Sequence, residues 1–79
     1  MRTFDDTQGN HWEAALLDAS YGSIMLLFSP AQGEGIRQQL MPAENMKEAE
    51  AQLAALDDAG LRAMLAESRP WDPAARGLL

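Results

Sequence analysis

The sequence predicts an α+β domain: a three- or four-stranded antiparallel meander followed by two helices packed on one face of the sheet. Three observations carry this expectation. Ser23-Ile24-Met25-Leu26-Leu27-Phe28 is an apolar run of strand-like composition. After Pro42 the apolar residues stop alternating and begin to recur at helical spacing. Two cap signals, Asn45-x-x-Glu48 and Asp57-Asp58, introduce the helical stripes.

The elements follow in order. Residues 2–5 form a short strand anchored by Phe4. Asp6-Thr7-Gln8-Gly9-Asn10 is turn chemistry, because Gly and Asn tolerate a positive φ. Residues 11–18 form a second strand, with Trp12, Ala14 and Leu16 on one face. Ser20-Tyr21-Gly22 turns the chain, with Gly22 expected at positive φ. Residues 23–29 form the third and most apolar strand. Ile24, Leu26 and Phe28 point to one side, and Met25 and Leu27 to the other. Residues 30–35 read as a loop. Residues 36–41 form a fourth, more exposed strand, alternating Ile36, Gln38, Leu40 against Arg37, Gln39, Met41. Short loops between successive strands imply the meander.

Asn45 caps a helix with Glu48 at its third position, and Met46, Ala49, Leu53 and Leu56 supply the apolar stripe. Asp57-Asp58 starts a second helix with the stripe Leu61, Met64, Leu65. Two helices are preferred to one long kinked helix, because Asp57, Asp58 and Gly60 cluster at the junction. Ser68-Arg69-Pro70 ends the second helix. The expected organisation is one domain over residues 1–69, with strands in about 2–41 and helices in about 45–67, then an irregular tail over 70–79.

Composition narrows the function classes. The 79 residues suffice for one domain. The absence of cysteine excludes disulfides, thiolate chemistry and cysteine-ligated zinc in this chain. Twelve acidic and six basic residues give a formal charge of −6, a field that repels phosphate backbones and anionic lipid. The basic residues Arg2, Arg37, Lys47, Arg62, Arg69 and Arg76 are scattered through the sequence. No apolar h-region follows Arg2, and no apolar run approaches the roughly 18 residues of a membrane span. The expectation is a cytoplasmic protein that binds neither nucleic acid nor membrane.

The chain resembles small bacterial proteins of unknown function. Their outline is an Arg-x-Phe-x-Asp start, Gly-x-x-Trp opening a second strand, a Leu-x-Phe strand, and a helix introduced by Leu-[Ser/Asp]-Asp-x-x-Leu. Here those elements are Arg2, Phe4 and Asp6, then Gly9 and Trp12, then Leu26 and Phe28, then Leu56-Asp57-Asp58 with Leu61. An additional Ala/Glu-rich helix precedes the last motif. The resemblance implies antiparallel strands followed by a C-terminal helix, and no activity.

The chemistry-bearing residues have bland and sharp readings. His11, with Asp5, Asp6 and Asn10 nearby, could form a base or metal site. A plain surface histidine is preferred, since no second imidazole exists to complete a typical metal site. Asp5 and Asp6 are strand neighbours and should diverge rather than act as an acid/base pair. Gly33-Glu34-Gly35 lacks the Lys of a phosphate loop and reads as a hairpin loop. Ser20, Ser23, Ser29 and Ser68 lack the nucleophile-elbow context. Trp12, Tyr21 and Phe28 could stack bases, but core packing suits an acidic chain better. Met25, Met41, Met46 and Met64 read as core fillers rather than an adaptable binding surface. Trp71, in Arg69-Pro70-Trp71-Asp72-Pro73, reads either as packing on its own domain or as a docking residue.

The sequence therefore predicts no catalytic, cofactor-binding or metal residues. It points to a non-catalytic protein-interaction module or accessory subunit, with a protein partner or a homo-oligomer. The expected contact residues are Leu17, Met25 and Leu27, left open if both helices cover the Trp12 side, together with Trp71; the alternatives are that the helices straddle both faces or that the tail with Trp71, Leu78 and Leu79 folds over this one. The alternative is a small apolar-ligand carrier with a pocket between sheet and helices.

Overall fold

Asp6 builds the first reversal of the chain. Its carboxylate accepts the backbone N–H groups of Gln8 at 2.8 Å and Asn10 at 2.9 Å. Gly9 completes the turn at φ 82°, where a side chain would be strained. The turn joins β1 (Arg2–Asp5) to β2 (His11–Asp18). A computed structural model describes residues 2–18, 23–33 and 35–71. The expected turn at Ser20-Tyr21-Gly22, Gly22's positive φ included, lies outside the described residues.

Strand β3 (Ile24–Pro30) pairs antiparallel with β2, and β4 (Arg37–Leu40) pairs antiparallel with β3. Gly33 at φ 91° and Gly35 at φ 108° shape the connection. Gly33 and Gly35 thus lie in a hairpin connection between antiparallel strands. Past β4 the ladder continues for one more bond, from Met41 N–H to the Ile24 carbonyl.

The helices are α1 (Met46–Ala55) and α2 (Asp58–Glu67), separated at Leu56-Asp57. Both starts are capped as local sequence dictates. Asn45 Oδ1 accepts the Glu48 N–H at 2.8 Å, and Asp57 Oδ1 accepts the Gly60 N–H at 2.7 Å. Neither helix has a basic residue in its last turn. At the end of α1, Arg2 takes that role from β1: its Nη1 donates to the carbonyls of Leu53 and Leu56, both at 2.8 Å.

The expected irregular tail needs one correction. Arg69–Pro70 forms a fifth strand, β5, pairing antiparallel with β4 to complete the order β1-β2-β3-β4-β5. Trp71 N–H donates to the Ile36 carbonyl at 2.8 Å, so Pro70's nitrogen points away from β4 and its missing N–H costs no ladder bond. Arg37 secures the return, with Nε donating to Ser68 Oγ at 2.8 Å. The remainder of the tail, including Leu78 and Leu79, lies outside the described residues.

Both helices lie on one face. Phe4, Ala14, Ile24, Leu26, Phe28 and Met41 from the sheet meet Ala49, Leu53 and Leu61 from the helices in one cluster. Trp12, Leu16, Met46, Leu56, Met64 and Leu65 close its rim. Phe4 meets Phe28 edge to face at 5.8 Å between ring centroids.

Candidate functional site

Strand register assigns every residue to a face, because directly paired residues point the same way and chain neighbours point oppositely. The face away from the helices carries three rows. Leu17, Met25 and Leu40 form one row across β2, β3 and β4. Ala15, Leu27, Gln38 and Arg69 form the next, ending on β5. Thr3, Glu13 and Ser29 lie in the third, which Ile36 and Trp71 extend beyond β4 and β5. Asp5 and His11 sit at its β1–β2 corner.

The expected contact residues Leu17, Met25, Leu27 and Trp71 therefore share one side of the sheet. Among the described residues no helix covers it. Leu17 is 38% exposed, Ile36 37% and Leu40 58%, the large apolar side chains most open to solvent among the described residues. Met25 is buried, and Leu27 and Trp71 are half-buried. Ile36 and Leu40 are members of this surface that the sequence reading did not assign to it. Their alternation with Gln38 was visible, but joining them to Leu17 and Met25 required the register across the 31–36 loop.

The acidic candidates take separate places. Asp5 and Asp6 do diverge: the Asp5 carboxylate meets His11 Nδ1 on the open face, while Asp6 turns to the helix side, where Trp12 Nε1 donates to it at 2.9 Å. That indole N–H is the main reason the Asp6 carboxyl falls from 3.8 to about 2; the backbone N–H of Asn10 adds to it, burial opposes it, and the backbone N–H of Gln8 and the Asn10 side chain assist. His11 and Asp5 are both well exposed. Among the described residues no group of three His, Cys, Asp or Glu side chains could hold a metal ion. Every buried side-chain N or O atom described has a partner, so none is left aimed at a ligand.

Trp12 and Phe28 do not form an open platform. Phe28 is wholly buried under the helices, Trp12 is tied to Asp6, and Tyr21 lies outside the described residues. Three arginines are engaged inside the fold: Arg2 on the end of α1, Arg37 on Ser68, and Arg62 Nε on the Asp5 carbonyl at 2.7 Å. No described helix is long and apolar enough to cross a membrane.

A second concavity lies where β4 meets the helix junction. It is an open groove of about 590 Å³, lined chiefly by Leu40, Met41, Pro42, Ala55, Leu56 and Met64. Comparison with protein-family models, with curated proteins and with solved structures finds no match for this chain.

Proposed function

We propose that this chain is a non-catalytic protein-interaction module, a small regulatory or accessory subunit that docks through the open face of its sheet. The observation that carries this reading is the exposure of Leu17, Ile36 and Leu40, beside the half-buried Leu27, on a face that no described helix covers. A large apolar side chain left in water forgoes about 1.5–3 kcal/mol of burial, so a contiguous patch of them is best explained by an occupant. Asp6, Asn45 and Arg62 support the same reading, since they serve as a turn, a cap and a brace.

The test is a binding experiment with a matched pair of variants. Leu27→Glu places a charge in the middle of the open face, and Glu50→Gln alters an exposed position on α1. The reading expects Leu27→Glu to lose the bound protein while keeping its circular dichroism, and Glu50→Gln to retain it. Equal binding by both variants would remove the open face from the function.

The groove at the helix junction favours a second reading, a carrier of a small apolar ligand. Its volume exceeds the roughly 300 Å³ at which ligand pockets begin, and its lining is largely apolar. Ala55→Trp, which fills the groove, should then abolish binding of an apolar fluorescent dye that Leu27→Glu leaves intact. Dye binding indifferent to Ala55→Trp excludes this groove.

A further inference from the structure

We infer that the occupant of the open face is the same face of a second copy, in a two-fold dimer whose axis runs parallel to the strands over β3. The inference rests on the reading of that face as a docking surface and names its partner. Sheet-on-sheet packing buries two such faces about 10 Å apart, with their side chains interdigitating.

The sheet edges direct association to the face. An edge strand recruits another chain through free backbone groups. On β1 the Asp5 carbonyl is occupied by Arg62 of α2. On the other edge β5 is only two residues long and contains Pro70. Each edge is partly blunted, and the apolar surface lies between them.

The charges choose the axis. On the open face the acidic side chains Asp5 and Glu13 stand on the β1–β2 flank, with His11 beside Asp5, and Arg69 stands on the β5 flank. Rotation about an axis along β3 lays the β1–β2 flank of one copy over the β4–β5 flank of the other. Acidic and basic flanks then meet at both ends. An axis perpendicular to the strands would set each β2 over its counterpart and bring the acidic flanks together. Each copy carries a formal charge of −6, so pairing needs this local complementarity. Because β3 is the middle strand of five, the chosen axis also sets Leu27 over its own counterpart.

The available area fits a modest interface. Strands of four, eight, seven, four and two residues, at about 3.3 Å per residue and about 4.8 Å between strands, give a footprint on the order of 400 Å² per copy. Standard interfaces bury about 800 Å² of accessible surface per partner, and a pleated face exposes more than its footprint. A reversible, micromolar-range dimer is expected rather than an obligate one.

Sedimentation equilibrium of the full chain over micromolar concentrations tests this. The expected result is a reversible monomer–dimer equilibrium that Leu27→Glu abolishes with unchanged circular dichroism. Glu13→Arg alone and Arg69→Glu alone should each weaken the dimer several-fold, and the double variant should recover it. A dimer that Leu27→Glu does not weaken overturns the proposal, and so does a Leu27-dependent dimer whose charge variants are silent or unrescued. A monomer at every concentration also overturns it, and the cysteine-free background then separates the two levels of failure. If Leu27→Cys in that monomer reacts rapidly with a maleimide, the face is open and the docking reading stands without self-pairing. If it is protected, the chain covers its own face and both readings fall.

Discussion

Leu26 and Leu27 are neighbours on β3, identical in chemistry and opposite in fate. Leu26 is wholly buried beneath α1 and α2, and Leu27 is half-buried on a face that no described helix covers. The same division runs through the sheet: Phe4, Ala14, Ile24 and Phe28 on one side, Leu17, Leu27, Ile36 and Leu40 on the other. Apolar character alone therefore does not mark the core of this protein. What distinguishes the faces is which one the helices were able to cover, and two ten-residue helices cover one.

The comparison breaks most visibly at Phe28. Truncating a fully buried aromatic costs about 3–5 kcal/mol, a large part of the roughly 5–15 kcal/mol that holds a domain together. Phe28→Ala should therefore leave a substantial unfolded population, measured as a collapse of the urea midpoint. Leu27→Ala, one position away, should cost far less. Similar losses at both positions would mean that the two faces are equally packed.

Arg2 tests how the helical layer is fastened to the sheet. Its guanidinium donates to the Leu53 and Leu56 carbonyls at the end of α1, and α1 offers no basic residue of its own there. Charged hydrogen bonds to carbonyls at a part-exposed site predict a loss of about 1–2 kcal/mol for Arg2→Ala. Hydrogen exchange should quicken first at the α1 C-terminus. Arg2→Lys should recover only part of the loss, since one ammonium cannot both hold the carbonyls that Nη1 holds and keep the Nη2 contact to Asp58 at 4.0 Å.

These contacts also show what the sequence could disclose. The caps at Asn45 and Asp57 and the turn at Asp6 are three- or four-residue interactions, so local chemistry revealed them. The helix stripes and the face they pack on were legible from periodicity. The Arg2 bonds were not, because their partners lie 51 and 54 residues away. Strand β5 was hidden for the same reason: two residues have no period, and their pairing depends on where α2 returns the chain. Prolines at 70 and 73 suggested an irregular tail, yet an outer edge strand tolerates a missing N–H. On the candidate surface, Leu17, Met25, Leu27 and Trp71 could be named from alternation and composition, whereas Ile36 and Leu40 needed the register.

Asp6 ties the first hairpin to the helix side through Trp12 and supplies a pH test. Its carboxyl is held down to about 2 in the folded chain, against 3.8 ordinarily, first by the Trp12 indole N–H. A depressed folded value means that the ionised group stabilises the fold above 3.8. That contribution is lost as the pH falls from about 3.8 to about 2. Asp6→Asn should lower stability at neutral pH and flatten the curve in this acid window. An unchanged acid limb in the variant would assign the loss to other carboxylates.

Leu17 gives the smallest expected effect and the sharpest reading of the open face. It is 38% exposed at the end of a row whose other members are Met25 and Leu40. If water is its neighbour in the dilute monomer, Leu17→Gln exchanges one solvated side chain for another, and stability should move by less than about 0.5 kcal/mol. The polar replacement should also leave the folded spectrum unchanged, since no buried partner is left unsatisfied. At concentrations where an occupant sits on the face, the same substitution should weaken association, because the leucine then leaves water and the glutamine would have to. The contrast between a silent variant in dilute solution and a defective one in complex is what an open docking face requires. A loss of more than about 1.5 kcal/mol in the dilute monomer would show that Leu17 is already removed from water by its own chain.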